Sequence, residues 1–466
     1  MTGVQTCALP ILYEADEAFR AAVDRCAGVL DPLLGVAGGL VGGVLLYNGG
    51  AAAASAAASA AAAADGSASA SASSQPQPQP PSQSQSAALI DRTRYAQPAL
   101  FSVEYAACEL WASIGVAPAY AVGHSVGEVA AAWAAGAFAG LEDGLRLVEA
   151  RGRLMGSLEE GGGGGGGGEE GADGAVPKKS SSGSEAERRG GGGGGGGHAP
   201  GTGKREAGAM AVVTASEESV RAALEAPSAL HGGERAGKRV SVAAVNGPEQ
   251  VVVSGERGSV EELLAALAAG AGVRHKMLNV SNAFHSHLME PILDEFEREV
   301  AARVGFSRAL SRNVRLASNV AGGFAAESAD VCCDARYWRR HLREAVLFEG
   351  AVRSVCAAGC RAFVEVGPHP VLLGMVAAAC RSLAATRGGA AAAAAAAAAQ
   401  QGPQAEAGEG LSLLLLPSLR RGAGEWTTVL SSVARLYEDG AVELNFAGLP
   451  QQDRKSTRLN SSHGKL

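Results

Sequence analysis

An α/β fold, with parallel core strands and a smaller inserted α/β unit, is what this sequence predicts. Three observations carry that expectation. A short apolar run, 119–122, leads into Gly123-His-Ser-Val-Gly127 and then an apolar helical stretch, which is strand–turn–helix order. From 208 onward the periodicity switches between two and 3.6 residues, giving β, α, β, β, α, β. Further on, 314–318 and 362–366 are apolar runs of buried-strand length.

Taken in order, residues 11–34 have helical spacing, with Phe19, Val23, Cys26, Val29 and Leu30 on one face. A helix is expected from Pro98 to Ser113, with Pro98 in its first turn. The elbow at 123–127 is followed by helices over 129–135 and 141–158, the second opening on Glu142 and Asp143. In the inserted unit, 208–214, 239–246, 250–254 and 275–280 are strand-like, and 216–225 and 260–269 helical. That order fits a ferredoxin-like unit. Helices are also expected over 291–304 and 425–437.

Three stretches, 37–86, 159–207 and 385–410, are nearly pure Ala, Gly, Ser, Pro and Gln. Such composition cannot bury enough apolar surface to order itself, and we expect disordered insertions. They take about 125 residues and leave about 340 to fold. The glycine runs at 161–168 and 190–197 lack the fixed glycine positions and the following lysine of a phosphate loop. The expected organisation is a large unit over 11–158 and 278–384, a small unit over 208–277, and a linker over 411–450.

The net charge is −7, from 47 acidic and 40 basic residues, without the basic surplus of a nucleic-acid binder. Eight cysteines occur without a CxxC pair, which predicts free thiols in a reducing compartment and no zinc site. The run from Leu33 to Tyr47 is shorter than the ~20 residues of a membrane span, and no basic n-region opens the chain. A cytoplasmic protein is expected. Residues 1–10 and 453–466 do not join the pattern beside them and resemble translated library-adapter sequence. Both are expected to be non-native.

The G-x-S-x-G pattern predicts a strained turn that presents the Ser125 hydroxyl, with the following helix aiming N–H groups at a developing oxyanion. The alternative is a structural tight turn. A nucleophilic serine needs a base. His124 should point away from the hydroxyl and shape the elbow; His285, His287, His341 and His369 remain as candidates. Arg151 is either a solvated helix charge or a fork for a carboxylate.

Residues 98–158 resemble the acyltransferase domain of modular type I polyketide synthases and the related malonyl-CoA:acyl carrier protein transacylases. So do Ala244-Val-Asn-Gly-Pro-Glu-Gln-Val-Val-Val-Ser-Gly255, Val280-Ser-Asn-Ala-Phe-His-Ser286, Tyr337-Trp338 with His341-Leu-Arg343, and Glu365-Val-Gly-Pro-His-Pro-Val371. The resemblance implies an α/β-hydrolase-like core with an inserted ferredoxin-like subdomain. It implies that Ser125 carries the acyl group, His285 is the base, Arg151 pairs with the free carboxylate of a malonyl-type substrate, and Gln97 lines the pocket. His124 and Phe284 would also face substrate, and the Val126 backbone N–H would serve the oxyanion hole. The carbonyl orienting the histidine falls near Ala358. Asn282-Ala-Phe-His285 resembles the malonyl-type pattern His-Ala-Phe-His, and Phe284 would crowd a C2 methyl group. One methyl is worth only about 1–3 kcal/mol of discrimination.

By the same resemblance the substrate is malonyl-CoA, and the partner is the phosphopantetheine thiol of an acyl carrier protein. A ketosynthase and other megasynthase domains would be neighbours, with no metal or redox cofactor, nucleic acid or membrane. The family opens on a strand and a Gly-Gln-Gly loop that supplies a second oxyanion donor, whereas recognisable sequence begins here at Leu12. An N-terminally truncated chain is therefore expected. Two rival readings stand beside this one: a serine hydrolase built on the same elbow, and a catalytically inactive structural fragment of a megasynthase.

Overall fold

Asp16 begins the first long helix, its carboxylate accepting the Phe19 N–H at 2.7 Å, and Gly35 ends it in the left-handed conformation. Between those caps, Glu17–Leu34 buries Phe19, Val23, Cys26 and Leu30. The computed structural model describes residues 10–45, 89–160, 208–226, 239–280, 282–308, 310, 313–325, 332–398, 413–442 and 445. The expected foreign ends at 1–10 and 453–466 lie outside the described residues except for Pro10, which opens the helix Pro10–Ala15, and so do most of the expected insertions.

Three insertion boundaries are corrected, the smallest at 159, where the helix Leu141–Glu160 runs two residues into the expected insertion. A helical segment, Gly39–Leu45, buries Leu40, Val44 and Leu45 inside the stretch expected to be disordered from 37. The helix beginning at Leu373 runs to Ala398, through the expected start at 385, as alanine's helix propensity allows. No single helix among the described residues is long and apolar enough to cross a membrane.

The helix expected from Pro98 instead spans Thr93–Ser113, so Pro98 lies inside it rather than in its first turn. It packs between Glu17–Leu34 and Leu141–Glu160. Its approach to Leu141–Glu160 is close because Gly152 faces it: a Cβ there would stand 2.9 Å from the Arg94 carbonyl oxygen.

The strands in chain order are β1 (Tyr120–Val122), β2 (Gly208–Val213), β3 (Val240–Gly247), β4 (Gln250–Glu256), β5 (His275–Met277), β6 (Arg315–Ser318), β7 (Gly323–Phe324), β8 (Ala362–Glu365) and β9 (Leu414–Pro417). β2 to β5 form one antiparallel sheet in the order β3-β4-β2-β5, with helices Glu217–Glu225 and Arg257–Ala271 supplying the βαββαβ sequence. This unit has its own apolar core, including Val213, Val220, Val251 and Leu263. Residue 346 joins it to the larger unit, because Val245 and Val346 exchange backbone hydrogen bonds with Val346 and Ala243 carbonyls at 2.9 Å.

The parallel core is divided rather than continuous among the described residues. β1 pairs in parallel with β6, which turns back onto β7, while β8 pairs in parallel with β9 in a separate sheet. A cavity of about 1170 Å³, lined by Tyr120–Val122 on one side and by residues 362–366 on the other, lies between them. The β8–β9 pairing and the helices Ala335–Arg343 and Phe348–Ala357 are further elements of the larger unit. Cys356 and Cys380, expected as free thiols, are joined by a disulfide with Cα atoms 6.1 Å apart, because the helices that carry them pack side by side.

Glu104 lines the same cavity, and burial, reinforced by the charge of Glu365, pushes its carboxyl up to about 8. Its ordinary value is 4.5, so between those limits the unfolded chain releases a proton that the folded chain keeps. Stability therefore falls as pH rises through that window, by up to about 1.4 kcal/mol per pH unit. In urea unfolding, Glu104→Gln should match the parent near pH 5 and exceed it at pH 8. Parallel pH dependences in the two proteins would refute the assignment.

Candidate active site

Gly123 is what lets the elbow turn so tightly. A Cβ on Gly123 would come within 2.2 Å of the Glu128 nitrogen and 2.3 Å of the Gly127 carbonyl, so no side chain fits there. Ser125 has φ +51°, in the left-handed region that non-glycine residues seldom occupy. The turn places its hydroxyl at the start of helix Gly127–Ala134. The N–H groups of Gly127 and Glu128 bond back to His124 O and Ser125 O at 3.1 and 2.9 Å. Among the described residues, nothing accepts the Val126 N–H.

Of the four candidate bases, the fold brings His285 to the serine. Its Nε2 lies 2.8 Å from Ser125 Oγ, and its Nδ1 lies 2.9 Å from the Glu344 carbonyl oxygen. A carbonyl only accepts, so Nδ1 carries the proton and Nε2 is free to take one from Oγ. His285 is the second left-handed non-glycine residue, at φ +56°. The other three have different neighbours: His287 lies 3.5 Å from Glu256, His341 lies 3.4 Å from Glu128, and His369 Nδ1 accepts the Arg421 N–H at 3.3 Å.

The orienting carbonyl is not near Ala358. The Ala358 oxygen instead accepts from Tyr120 Oη at 3.3 Å. Glu344 follows helix Ala335–Arg343 and caps it with extended backbone, so its carbonyl is turned out of the helix toward His285. The sequence signal was the end of that helix, immediately after the His341-Leu-Arg343 motif.

Arg151 is fully buried, on helix Leu141–Glu160. Its Nη1 donates to Gln97 Oε1 at 2.5 Å and its Nη2 to Ser125 Oγ at 3.1 Å. Gln97 Nε2 contacts Met155 Sδ at 3.3 Å, which fixes the amide with its oxygen toward the arginine. Among the described residues, no carboxylate lies within ion-pair distance of Arg151, and its Nε has no partner. Burial pulls the guanidinium down to about 10. His285 is held well below its usual range, first by burial, then by the charges of Arg151 and His341.

His124 points away from the serine hydroxyl, as the sequence suggested. Its Nε2 is 2.7 Å from Asn246 Oδ1, so it ties the elbow to the small unit, and its ring meets Phe348 edge-on. Phe284 is buried in the main core, and Asn282 donates to the Met155 carbonyl at 3.1 Å. Sequence reasoning did not single out Asn319, which accepts the Ser125 N–H at 2.9 Å.

The sequence model of the acyl transferase domain family matches residues 10–176 and 197–437. Polyketide synthase GfsA of Streptomyces halstedii is 38% identical over 355 residues, covering 76% of this chain and 4% of that protein. Mycoketide-CoA synthase of Mycobacterium tuberculosis is 36% identical over 298 residues, covering 64% of this chain and 6% of that protein. The chain thus spans a small fraction of these curated relatives. Among solved structures, the acyltransferase domain from the second module of the salinomycin polyketide synthase superposes with a TM-score of 0.63 at 28% identity, covering all of this chain and 76% of that one. The malonyl CoA-acyl carrier protein transacylase from Clostridium perfringens shares the fold, with a TM-score of 0.52 at 21% identity over 76% of this chain and 82% of that one.

Proposed function

This chain belongs to the acyl transferase domain family, and on that footing we propose that it moves a malonyl unit from malonyl-CoA to the phosphopantetheine thiol of an acyl carrier protein, through an ester on Ser125. The observation that carries this reading is Arg151: a buried cation touching the serine hydroxyl, with no carboxylate beside it among the described residues. A buried unpaired charge is costly, and the free carboxylate of a malonyl group supplies the missing partner.

His285 Nε2 takes the Ser125 proton as Oγ attacks the thioester carbonyl. The free Val126 N–H faces the developing oxyanion. Collapse expels the CoA thiol, which receives the proton from His285. The carrier thiol then attacks the malonyl ester, His285 taking its proton and returning one to Ser125. The Glu344 carbonyl holds the ring in the productive tautomer throughout. No step draws on a metal or redox cofactor. The Phe284 ring and the Ala-Phe-His pattern favour malonyl over methylmalonyl.

We read the unit holding β2 to β5 as ferredoxin-like, on its sheet order, inserted into an α/β-hydrolase-like unit that carries the elbow. A ketosynthase and other megasynthase domains as neighbours are part of the same proposal, supported by relatives named as polyketide synthases of which this chain spans a small fraction.

The test is intact-protein mass after brief incubation with malonyl-CoA, methylmalonyl-CoA and acetyl-CoA in competition, with Ser125→Ala as control. A malonyl adduct confined to the parent, and discharged by a carrier protein faster than by water, is expected. Discharge to water at a rival rate would favour a hydrolase. No adduct would favour an inactive structural fragment.

A further inference from the structure

The geometry points to Asn319 as the positioning residue of the nucleophile elbow. It follows β6 directly, and β6 runs parallel to β1, whose end leads into the elbow. Asn319 therefore stands beside residues 123–125, almost fully buried. Its single side-chain amide grips the turn on both sides of His124. Nδ2 donates to the Gly123 carbonyl at 2.7 Å, and Oδ1 accepts the Ser125 N–H at 2.9 Å.

The main chain of Asn319 is held as firmly as its side chain. Its N–H donates to Glu128 Oε2 at 2.9 Å, and its carbonyl accepts the Leu347 N–H at 2.8 Å. Glu128, in the first turn of the elbow helix, is fully buried and receives the Tyr337 hydroxyl on its other oxygen. Tyr337 also meets Ser318 Oγ at 2.6 Å. The chain Tyr337–Glu128–Asn319 links the strand end, the elbow helix and the turn into one buried polar network.

Two consequences follow for the serine. The left-handed backbone at φ +51° is strained, and a bidentate amide across the turn opposes its relaxation. The same bond occupies the Ser125 N–H, leaving the Val126 N–H as the elbow donor that remains free. Asn319 touches no reacting atom; it acts by fixing where Oγ and the Val126 N–H stand.

This inference rests on Ser125 being a nucleophile, so its test does not depend on the acyl donor. The rate of Ser125 phosphonylation by an alkyl fluorophosphonate is measured against probe concentration in the parent, Asn319→Ala and Asn319→Asp, with folding followed by circular dichroism. Asn319→Asp keeps an acceptor for the Ser125 N–H but loses the donor to Gly123. Asn319→Ala should lower the limiting rate by about 10²-fold, the scale of a 1 Å misplacement, with the half-saturating concentration unchanged. Asn319→Asp should fall between. If alanine prevents folding, the aspartate variant decides. Parent-like rates in a folded variant, or a change confined to half-saturation, overturn the proposal. A parent whose Ser125 is not labelled removes the nucleophile itself and overturns both readings.

Discussion

Replacing His285 with alanine is expected to slow acylation of Ser125 by about 10²–10⁴-fold, the usual contribution of a positioned general base. The histidine is built to be neutral. Burial disfavours the imidazolium, and Arg151 and His341 add like charge, so its pKa lies well below 6.5. The base form therefore persists as pH falls, and the parent's acylation rate should stay level from pH 8 to below 6.5, with its acid limb lower still. Arg151→Gln removes one of the repelling charges and should move that limb toward higher pH. A parent rate that halves near pH 6.5, as for a solvated histidine, would contradict this electrostatic reading. Stability follows the same sign. Below 6.5 the unfolded chain takes up a proton that the folded histidine refuses, so the parent loses stability as pH falls through that window, and His285→Ala should lose less.

Replacing Arg151 with alanine should reduce kcat/KM for malonyl-CoA by on the order of 10²–10³, or about 2.7–4 kcal/mol, inside the range of about 2–5 kcal/mol for truncating one member of a buried charge pair. Acetyl-CoA, which has no distal carboxylate, should lose far less, so the ratio of malonyl to acetyl adducts should collapse. Lysine should restore little, because it presents a point charge where a planar fork meets two oxygens. The same substitution should leave the thermal midpoint unchanged or raise it, because it removes a buried cation that no carboxylate among the described residues compensates. A mutant that keeps its malonyl preference would place the carboxylate site elsewhere; one that loses it only by unfolding would give Arg151 a structural role.

Several things were legible in the residues alone. The order of elements through the small unit follows from its alternating periods, because β2, β3, β4 and the two helices each bury apolar residues of their own, whereas β5 is exposed along its length. The elbow was readable because its tightest constraint is local: Gly123 is required by backbone contacts with Gly127 and Glu128, within five residues of it. Arg151 and Gln97 were reached through the resemblance, since spacing alone could not separate a buried arginine from a solvated one.

Tertiary structure decided what those residues touch. Ser125 and His285 are 160 residues apart in the chain, and no periodicity links them. Spacing alone left His285, His287, His341 and His369 open; the resemblance pointed to His285, and the packed fold is what sets its Nε2 against the serine. The orienting carbonyl is a backbone atom, which no residue type announces; it is Glu344 because a helix ends there, and not Ala358, whose oxygen faces Tyr120. The Cys356–Cys380 disulfide joins two helices whose adjacency is likewise non-local. Asn319 left no mark in the sequence because one amide beside a strand looks like any other until β6 is laid against β1. Local sequence fixes backbone shape through sterics and hydrogen bonds a few residues long. A catalytic pair, its orienting carbonyl and an uncompensated charge are relations between distant segments, and they come into being only when the core packs.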